Sequence, residues 1–204
     1  MEISLIRHGQ SQLTENDKIT GLEFKKWVEK YDYYGVFEES TYPSATLEKV
    51  VTANIVITSD LKRAVESARL LNPVTKIISD QLFRETELPS NSFQLFNVKL
   101  KPHIWAIVLR ILWFSGYSNE CESLNQARFR ANKAAQQLID YANKYKSVVL
   151  VGHGFFNMLI AKELQKKGWK GTRKRDAKHW NCTTFSLFNK NENKFLQEKK
   201  NDNT

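Results

Sequence analysis

The chain has 204 residues, of which 41% are hydrophobic and 26% charged, a balance that is ordinary for one globular domain with a sizeable core. A net charge of +9 suits a protein that attracts phosphorylated ligands, although solvated lysine-rich faces give the same charge. The cysteines, Cys121 and Cys182, lack metal-ligand spacing and argue against a disulfide scaffold, which fits a reducing compartment.

The first apolar run predicts a buried strand that ends in a cation, an imidazole and a glycine. Ile3 and Ile6 lie in the strand, and Arg7 and His8 follow before Gly9, which allows a sharp turn. Loops beyond the carboxyl ends of strands are where open α/β sheets bind ligands. This stretch therefore predicts an anion site beside a nucleophile.

Helices and strands then alternate along the first half of the chain. The predicted elements are a loop 12–21, a helix 23–34 with an aromatic stripe, a helix 43–53 capped by Ser44, a strand 54–58, a helix capped by Ser59 or Asp60, and a strand 76–79. Arg63 falls in the first turn of the third helix, where the dipole disfavours a cation unless an anion lies nearby. A bound phosphate would account for that arginine.

The second half contains a long apolar segment, the clearest helix and a fully buried strand. The predicted elements are an apolar segment 101–116, a helix 123–145, a strand 147–151, a turn Gly152-His153-Gly154 into another helix, closing strands 183–188 and 194–197, and a polar tail 198–204. For segment 101–116, a core helix is favoured over a partner-docking face. The basic run 162–178 favours a solvated surface over a nucleic-acid patch, because it lacks regular aromatic interleaving.

Three motifs together carry a family resemblance. Arg7-His8-Gly9 with Ser11, the run Ser59 to Ala64 (Ser-Asp-Leu-Lys-Arg-Ala), and His153 at a strand exit stand in the order typical of one group of enzymes. In these respects the chain, over residues 2–187, resembles the histidine phosphatase superfamily, which includes phosphoglycerate mutases and many small phosphatases. The resemblance implies a three-layer α/β/α sandwich with a mostly parallel sheet, and the alternation of strands and helices agrees. It places residues 1–197 in a single domain.

The resemblance also implies a role for each matched residue. His8 is the expected nucleophile, His153 an expected donor to the phosphoryl oxygens, and Glu85 the expected general acid and base. Arg7, Arg63 and Ser11 are the expected phosphate-binding residues, because guanidinium groups bind phosphate bidentately. Glu87 is the alternative acid, since alternate residues of an extended segment point the same way. His103 and His179 have no such context and are expected to be incidental.

The chain departs from the family pattern at two places. Thr14 stands where the family has an asparagine, which weakens any phosphate contact from that loop. After Glu85, the sequence Leu88-Pro89-Ser90-Asn91 replaces the usual glycine and Trp-Glu-Gly. The leading hypothesis is a metal-independent phosphatase without a cofactor. A mutase-type phosphoryl transfer and a non-catalytic phospholigand-binding scaffold are the alternatives.

The expected partner is a small phosphorylated substrate or a phosphoprotein, and nucleic acid is not favoured. The longest apolar stretch, 104–114, is too short to cross a bilayer and is interrupted by Arg110. The first residues lead straight into a strand, which is not the pattern of a signal peptide. We therefore expect a cytoplasmic protein with no membrane contact, while the oligomeric state and the identity of the substrate stay open.

Overall fold

The computed structural model describes residues 1–71, 73–90, 98–171 and 178–187. The strands are β1 (Glu2–Arg7), β2 (Ile55–Thr58), β3 (Ile77–Ser79), β4 (Ser147–Gly152), β5 (Lys170–Gly171) and β6 (Cys182–Ser186). The helices are α1 (Gly21–Tyr33), α2 (Ser44–Val51), α3 (Lys62–Leu70), α4 (Pro102–Phe114), α5 (Leu124–Tyr145) and α6 (Gly154–Lys166), with a 3-10 turn at Gln81–Phe83.

These strands form one sheet in the order β3-β2-β4-β1-β6-β5. The strands β1 to β4 are parallel, whereas β6 runs antiparallel to β1 and β5 antiparallel to β6. Because β2, β4 and β1 are neighbours with the same direction, their carboxyl ends lie at one edge of the sheet. The predicted α/β fold with a mostly parallel sheet is confirmed.

The alternation of side chains along the strands builds two cores, one on each face of the sheet. Ile3 and Leu5 of β1 pack in the core beneath α5 and α6, whereas Ile6 packs in the core beneath α2 and α3. In β4 the residues Val148 to Val151 are at most 1% exposed, as predicted for a central strand covered on both faces. The layers are therefore helix, sheet and helix.

Helices α1 and α4 form a smaller apolar cluster of their own. Phe24, Trp105 and Leu109 are its buried residues, and the Trp105 indole N–H donates to the Ile19 carbonyl at 2.7 Å. On its other side α4 exposes a row of apolar side chains, so it is a core helix on one face only: Ile104, Ile107, Ile111 and Phe114. In the described part of the chain no helix has both the length and the apolarity that a membrane crossing requires.

Two predicted helix caps are wrong. Pro43 and not Ser44 precedes α2, and Leu61 precedes α3 in place of Ser59 or Asp60, with no side-chain cap at either helix. The Ser59 hydroxyl is directed instead to a histidine, as described below. The predicted strand 194–197 and tail 198–204 lie outside the described residues, as does the stretch 172–177 of the basic run.

Candidate active site

His8 lies in the turn after β1, at the edge of the sheet where three parallel strands end. Its Nδ1 donates to the carbonyl of Gly9 at 2.7 Å, because a carbonyl can only accept, and this leaves Nε2 with its lone pair. His8 is 3% exposed, and burial together with the nearby Arg63 and Arg7 cations holds its pKa well below the usual value. The ring is neutral at pH 7 and can act as a nucleophile through Nε2.

His153 follows β4 and faces His8, with 5.1 Å between the ring centroids. It is fully buried, and that burial, followed by the influence of Arg63 and His8, lowers its pKa well below the usual value. The Ser59 hydroxyl lies 2.6 Å from His153 Nε2. Because the same hydroxyl accepts from Leu61 N at 3.4 Å, its proton is directed to His153, and a neutral ring that accepts from it carries its own proton on Nδ1. Among the described residues that nitrogen has no hydrogen-bond partner, so it can donate to a bound anion.

Arg63, in the first turn of α3, is 2% exposed and brings a buried cation to the histidines. Its Nη1 donates to Asp32 Oδ1 at 2.6 Å, and its guanidinium carbon lies 4.6 Å from the centre of the Tyr31 ring. Within the described residues, Nε of Arg63 is buried without a hydrogen-bond partner. One edge of the guanidinium is thus held by a carboxylate while Nε is available to a phosphate.

Arg7, the last residue of β1, lies against the start of α6. A Cβ added at Gly154 would come 3.3 Å from Arg7 Nε, so a glycine there allows the guanidinium to lie close to the helix terminus. The positive end of the helix dipole and a guanidinium then lie side by side, an arrangement that favours an anion between them. Ser11 differs: its hydroxyl accepts from Leu13 N at 3.2 Å within its own loop, and no contact described for residues 1–71 links it to either histidine.

Glu85 reaches the start of α6, directly after His153. Its Oε2 accepts from Phe155 N at 3.1 Å, and its Oε1 accepts from Phe156 N at 2.8 Å and from Thr86 N at 2.9 Å. A carboxylate at a helix N-terminus is favoured by the dipole and by the unpaired N–H groups there. The expected acid is therefore fixed next to the histidine pair.

Glu87 points elsewhere. It is exposed, and its backbone carbonyl accepts from Arg110 Nη1 at 3.4 Å. The Arg110 guanidinium lies 4.5 Å from the centre of the Phe155 ring and 4.9 Å from that of Trp113. Burial lowers the pKa of Arg110, partly offset by Glu85. Thr86, between the two glutamates, is buried, whereas Glu85 is half-buried with its carboxylate bonded at the start of α6 and Glu87 is exposed.

Sequence reasoning missed three residues at this site: Asp32, Ser59 and His179. The ring centroid of His179 lies 5.7 Å from that of His8, although no motif in the sequence indicates a function for His179. Its place there depends on the antiparallel direction of β6, which brings the residues before that strand to the carboxyl end of β1 and which the sequence does not indicate. The sequence carries no signal for Asp32 either, because this residue lies at the end of α1 and contacts Arg63 only through the tertiary fold.

Across the described ranges, no group of three or more histidine, cysteine, aspartate or glutamate residues is placed to hold a metal ion. The donors that converge at the edge of the sheet are two arginines and two imidazoles, which suit an anion. The anion they suit in shape is tetrahedral and highly charged, because guanidinium N–H groups and an imidazole N–H approach from several directions.

Several solved structures, two of them described as phosphatases, share this fold. A mycobacterial glucosyl-3-phosphoglycerate phosphatase aligns with a TM-score of 0.55 and 19% identity, over 92% of this chain and 90% of that one. A phosphoserine phosphatase from Entamoeba histolytica aligns with a TM-score of 0.53 and 15% identity, over 92% and 96% respectively. The product of an open reading frame of Mycobacterium tuberculosis aligns with a TM-score of 0.54 and 16% identity, over 93% of this chain and 92% of that one.

No curated protein sequence is significantly similar to the chain. A sequence profile described as Histidine phosphatase superfamily (branch 1) matches residues 44–203, a stretch that contains Arg63, Glu85 and His153. Arg7 and His8 precede that stretch but lie on β1, between β4 and β6 in the same sheet. With most of its length matched, the chain belongs to branch 1 of the histidine phosphatase superfamily.

Proposed function

We propose that the protein is a phosphatase that hydrolyses phosphomonoesters through a phosphohistidine on His8, without a metal ion. Membership of the superfamily and the phosphatase neighbours support phosphatase or phosphoryl-transfer chemistry in general. The observation that carries the finer proposal is the state of His8: a buried, neutral ring with Nδ1 bonded to a carbonyl and with the Arg63 and Arg7 cations nearby.

In the first step, Nε2 of His8 attacks phosphorus, and the bond from phosphorus to the ester oxygen breaks. Arg7, Arg63 and the Nδ1 proton of His153 stabilise the charge on the non-bridging oxygens. Glu85 gives a proton to the departing oxygen, which leaves as an alcohol. The His8–phosphorus bond then holds the phosphoryl group, with the positive charge of the imidazolium offsetting part of its negative charge.

In the second step, water attacks phosphorus as Glu85 takes one of its protons. The bond to Nε2 breaks, inorganic phosphate leaves, and both His8 and Glu85 return to their starting protonation states. The place of Glu85 directly after His153, close to the buried histidine pair, supports assigning both proton transfers to this residue. The negative charge of a phosphate bound beside it favours the protonated form that the first step needs. The phosphate-binding role of Ser11 has the weakest support, since its hydroxyl bonds within its own loop.

Hydrolysis is favoured over mutase chemistry by the surroundings of Glu85. The wall formed by α4 and the start of α6 is apolar, with Phe114 and Phe155 rings 5.5 Å apart, and Arg110 stacked on Phe155. A mutase must hold a second anionic group of its substrate and keep water out. One stacked arginine among aromatic rings suits an uncharged leaving group better than a second phosphate.

The test uses p-nitrophenyl phosphate with a chelator present. We expect full turnover by the wild type, turnover lowered at least about 10³-fold in His8→Ala, and an acid-labile phosphoryl group on the wild type after rapid quenching. His103→Ala is the matched control, because His103 is an exposed histidine on α4 and should leave the rate unchanged. Turnover that needs a metal ion, or that survives the loss of His8, contradicts the proposal.

A further inference from the structure

A third histidine adjoins the nucleophile. His179 lies just before β6, and because β6 runs antiparallel to β1, the segment that leads into β6 lies beside Arg7 and His8. The rings of His8 and His179 have centroids 5.7 Å apart with 37° between their planes, a separation at which aromatic rings are in contact. His8 is therefore in contact with two imidazoles, His153 and His179.

The residue that follows His179 is held in an unfavourable backbone conformation. Trp180 has φ of +62°, in the left-handed region that is strained for a bulky residue. It is fixed there from several sides: Trp180 N donates to Arg7 O at 3.0 Å, Thr46 Oγ1 donates to Trp180 O at 2.7 Å, and the indole N–H donates to Glu39 Oε1 at 2.5 Å. Strain that the surroundings maintain in this way concentrates at functional sites.

His179 differs from His153 in its exposure and charge environment. His153 is fully buried, whereas His179 is half-buried and can meet an incoming ligand. Burial, and after it the Arg7 cation, lowers the pKa of His179 to about 4, with Glu39 acting in the opposite direction. At pH 7 the ring is neutral and keeps one N–H donor. Because the His179 ring contacts the His8 ring, a phosphate that binds to Arg7 and His8 lies beside the His179 ring.

We propose that His179 is a phosphate-binding residue, which donates an imidazole N–H to an oxygen of the phosphoryl group held beside His8. This inference extends the proposed function by one binding residue. A purely packing role is the competing explanation, since the His179 ring also contacts the His8 ring. The two roles make opposite demands on a replacement: a hydrogen bond needs a donor, whereas packing needs a flat apolar ring.

The experiment measures the Kd of inorganic phosphate by calorimetry for the wild type, His179→Gln and His179→Phe. We expect His179→Phe to weaken binding about 10- to 100-fold, the usual effect of losing a hydrogen bond to a charged group. His179→Gln keeps an amide donor and should lose less than His179→Phe. His103→Phe, on the exposed side of α4, is the matched control and should bind as the wild type does. Wild-type affinity in His179→Phe, or the reverse order of the two variants, overturns the proposal.

A second measurement needs no variant at His179 and so does not depend on the variants folding. Imidazole NMR signals of the wild type should show the pKa of His179 rising from about 4 when phosphate is added, because a nearby anion favours the charged ring. An unchanged pKa at saturating phosphate overturns the proposal.

The outcomes also separate this inference from the proposed function. Phosphate binding that depends on His179, in a protein that hydrolyses no phosphomonoester, supports the inference and contradicts the phosphatase. If the protein hydrolyses phosphomonoesters through His8 but binds phosphate equally well without His179, the proposed function is supported and the inference about His179 is contradicted.

Discussion

Two adjacent buried hydroxyls, on Thr58 and Ser59, should respond in opposite directions when each is removed. Both residues are 0% exposed. The Ser59 hydroxyl lies 2.6 Å from His153 Nε2, whereas Thr58 Oγ1 has no hydrogen-bond partner among the described residues. The same chemical group is therefore satisfied at one position and unsatisfied at the next.

In Ser59→Ala, the buried nitrogen of His153 loses its donor. Leaving a buried acceptor unsatisfied costs about 2 kcal/mol of the free energy of unfolding, which for a chain of this length lowers Tm by about 4–8 °C. In Thr58→Val, an unpaired hydroxyl is replaced by a methyl group of the same shape. Removing that desolvated group should stabilise the fold by about 1 kcal/mol and raise Tm by about 2–4 °C.

The two variants should also differ in kcat, because only Ser59→Ala removes a hydrogen bond to His153. Without the Ser59 hydroxyl the His153 proton is no longer confined to Nδ1, so a donor to the phosphoryl group is lost and kcat should fall about 10²-fold. Thr58→Val should retain kcat within about threefold. Calorimetric Tm values and rates on p-nitrophenyl phosphate are the measurements. Equal stability of the two variants would refute the reasoning, because it would mean that Ser59 and His153 are not bonded in the folded protein.

Three further predictions concern pH, the acid and the fate of the phosphoryl group. The pKa values of His8 and His153 are lowered in the folded state, so below about pH 6.5 the unfolded chain binds more protons than the folded protein. The free energy of unfolding should therefore decrease as the pH is lowered, by up to about 1.4 kcal/mol per pH unit for each ring. Urea midpoints that do not change between pH 7 and pH 5 would contradict this. Glu85→Gln should lower kcat about 10²- to 10⁴-fold, while kcat of the matched variant Glu87→Gln stays within about twofold of the wild type. A wild-type protein that binds phosphate but hydrolyses no phosphomonoester would favour the scaffold alternative. With 3-phosphoglycerate and a trace of 2,3-bisphosphoglycerate, any product should be inorganic phosphate, and 2-phosphoglycerate formed at about 10 per second or more would identify a mutase.

Part of the site could be predicted because parallel strands impose it. His8 and His153 each follow an apolar run and precede a glycine, and parallel neighbours end at the same edge of a sheet, so their convergence follows from the pattern. Local rules failed where a tertiary contact competed with them. Ser59 is a residue type that often caps helices, yet its hydroxyl forms a hydrogen bond with His153. A buried imidazole nitrogen without a hydrogen-bond partner would cost more free energy than an uncapped helix end that water can reach.

Contacts between elements that are distant in sequence could not be predicted. The partnership of Asp32 with Arg63 depends on how α1 lies across α3, and no periodicity encodes that. His179 depends on the antiparallel direction of β6, whereas the sequence indicated only that a strand closes the domain. The exposure of one side of α4 could not be predicted either, because an apolar helix has the same sequence pattern whether the fold covers one of its faces or all of them.

The place of β1 in the sheet has a consequence for folding. This strand pairs with β4 and β6, so Ile3 lies opposite Val148 and Phe185, and no strand near it in sequence provides an edge for it. Such long-range pairing slows folding, because a large loop must close before the contacts form. During translation β1 is an unpaired apolar segment until β4 has been synthesised. Self-association of the chain through β1 is most favourable during that period. His8 is thus translated before Arg63, Glu85 and His153, and it is enclosed only after the strand that carries His153 has been added.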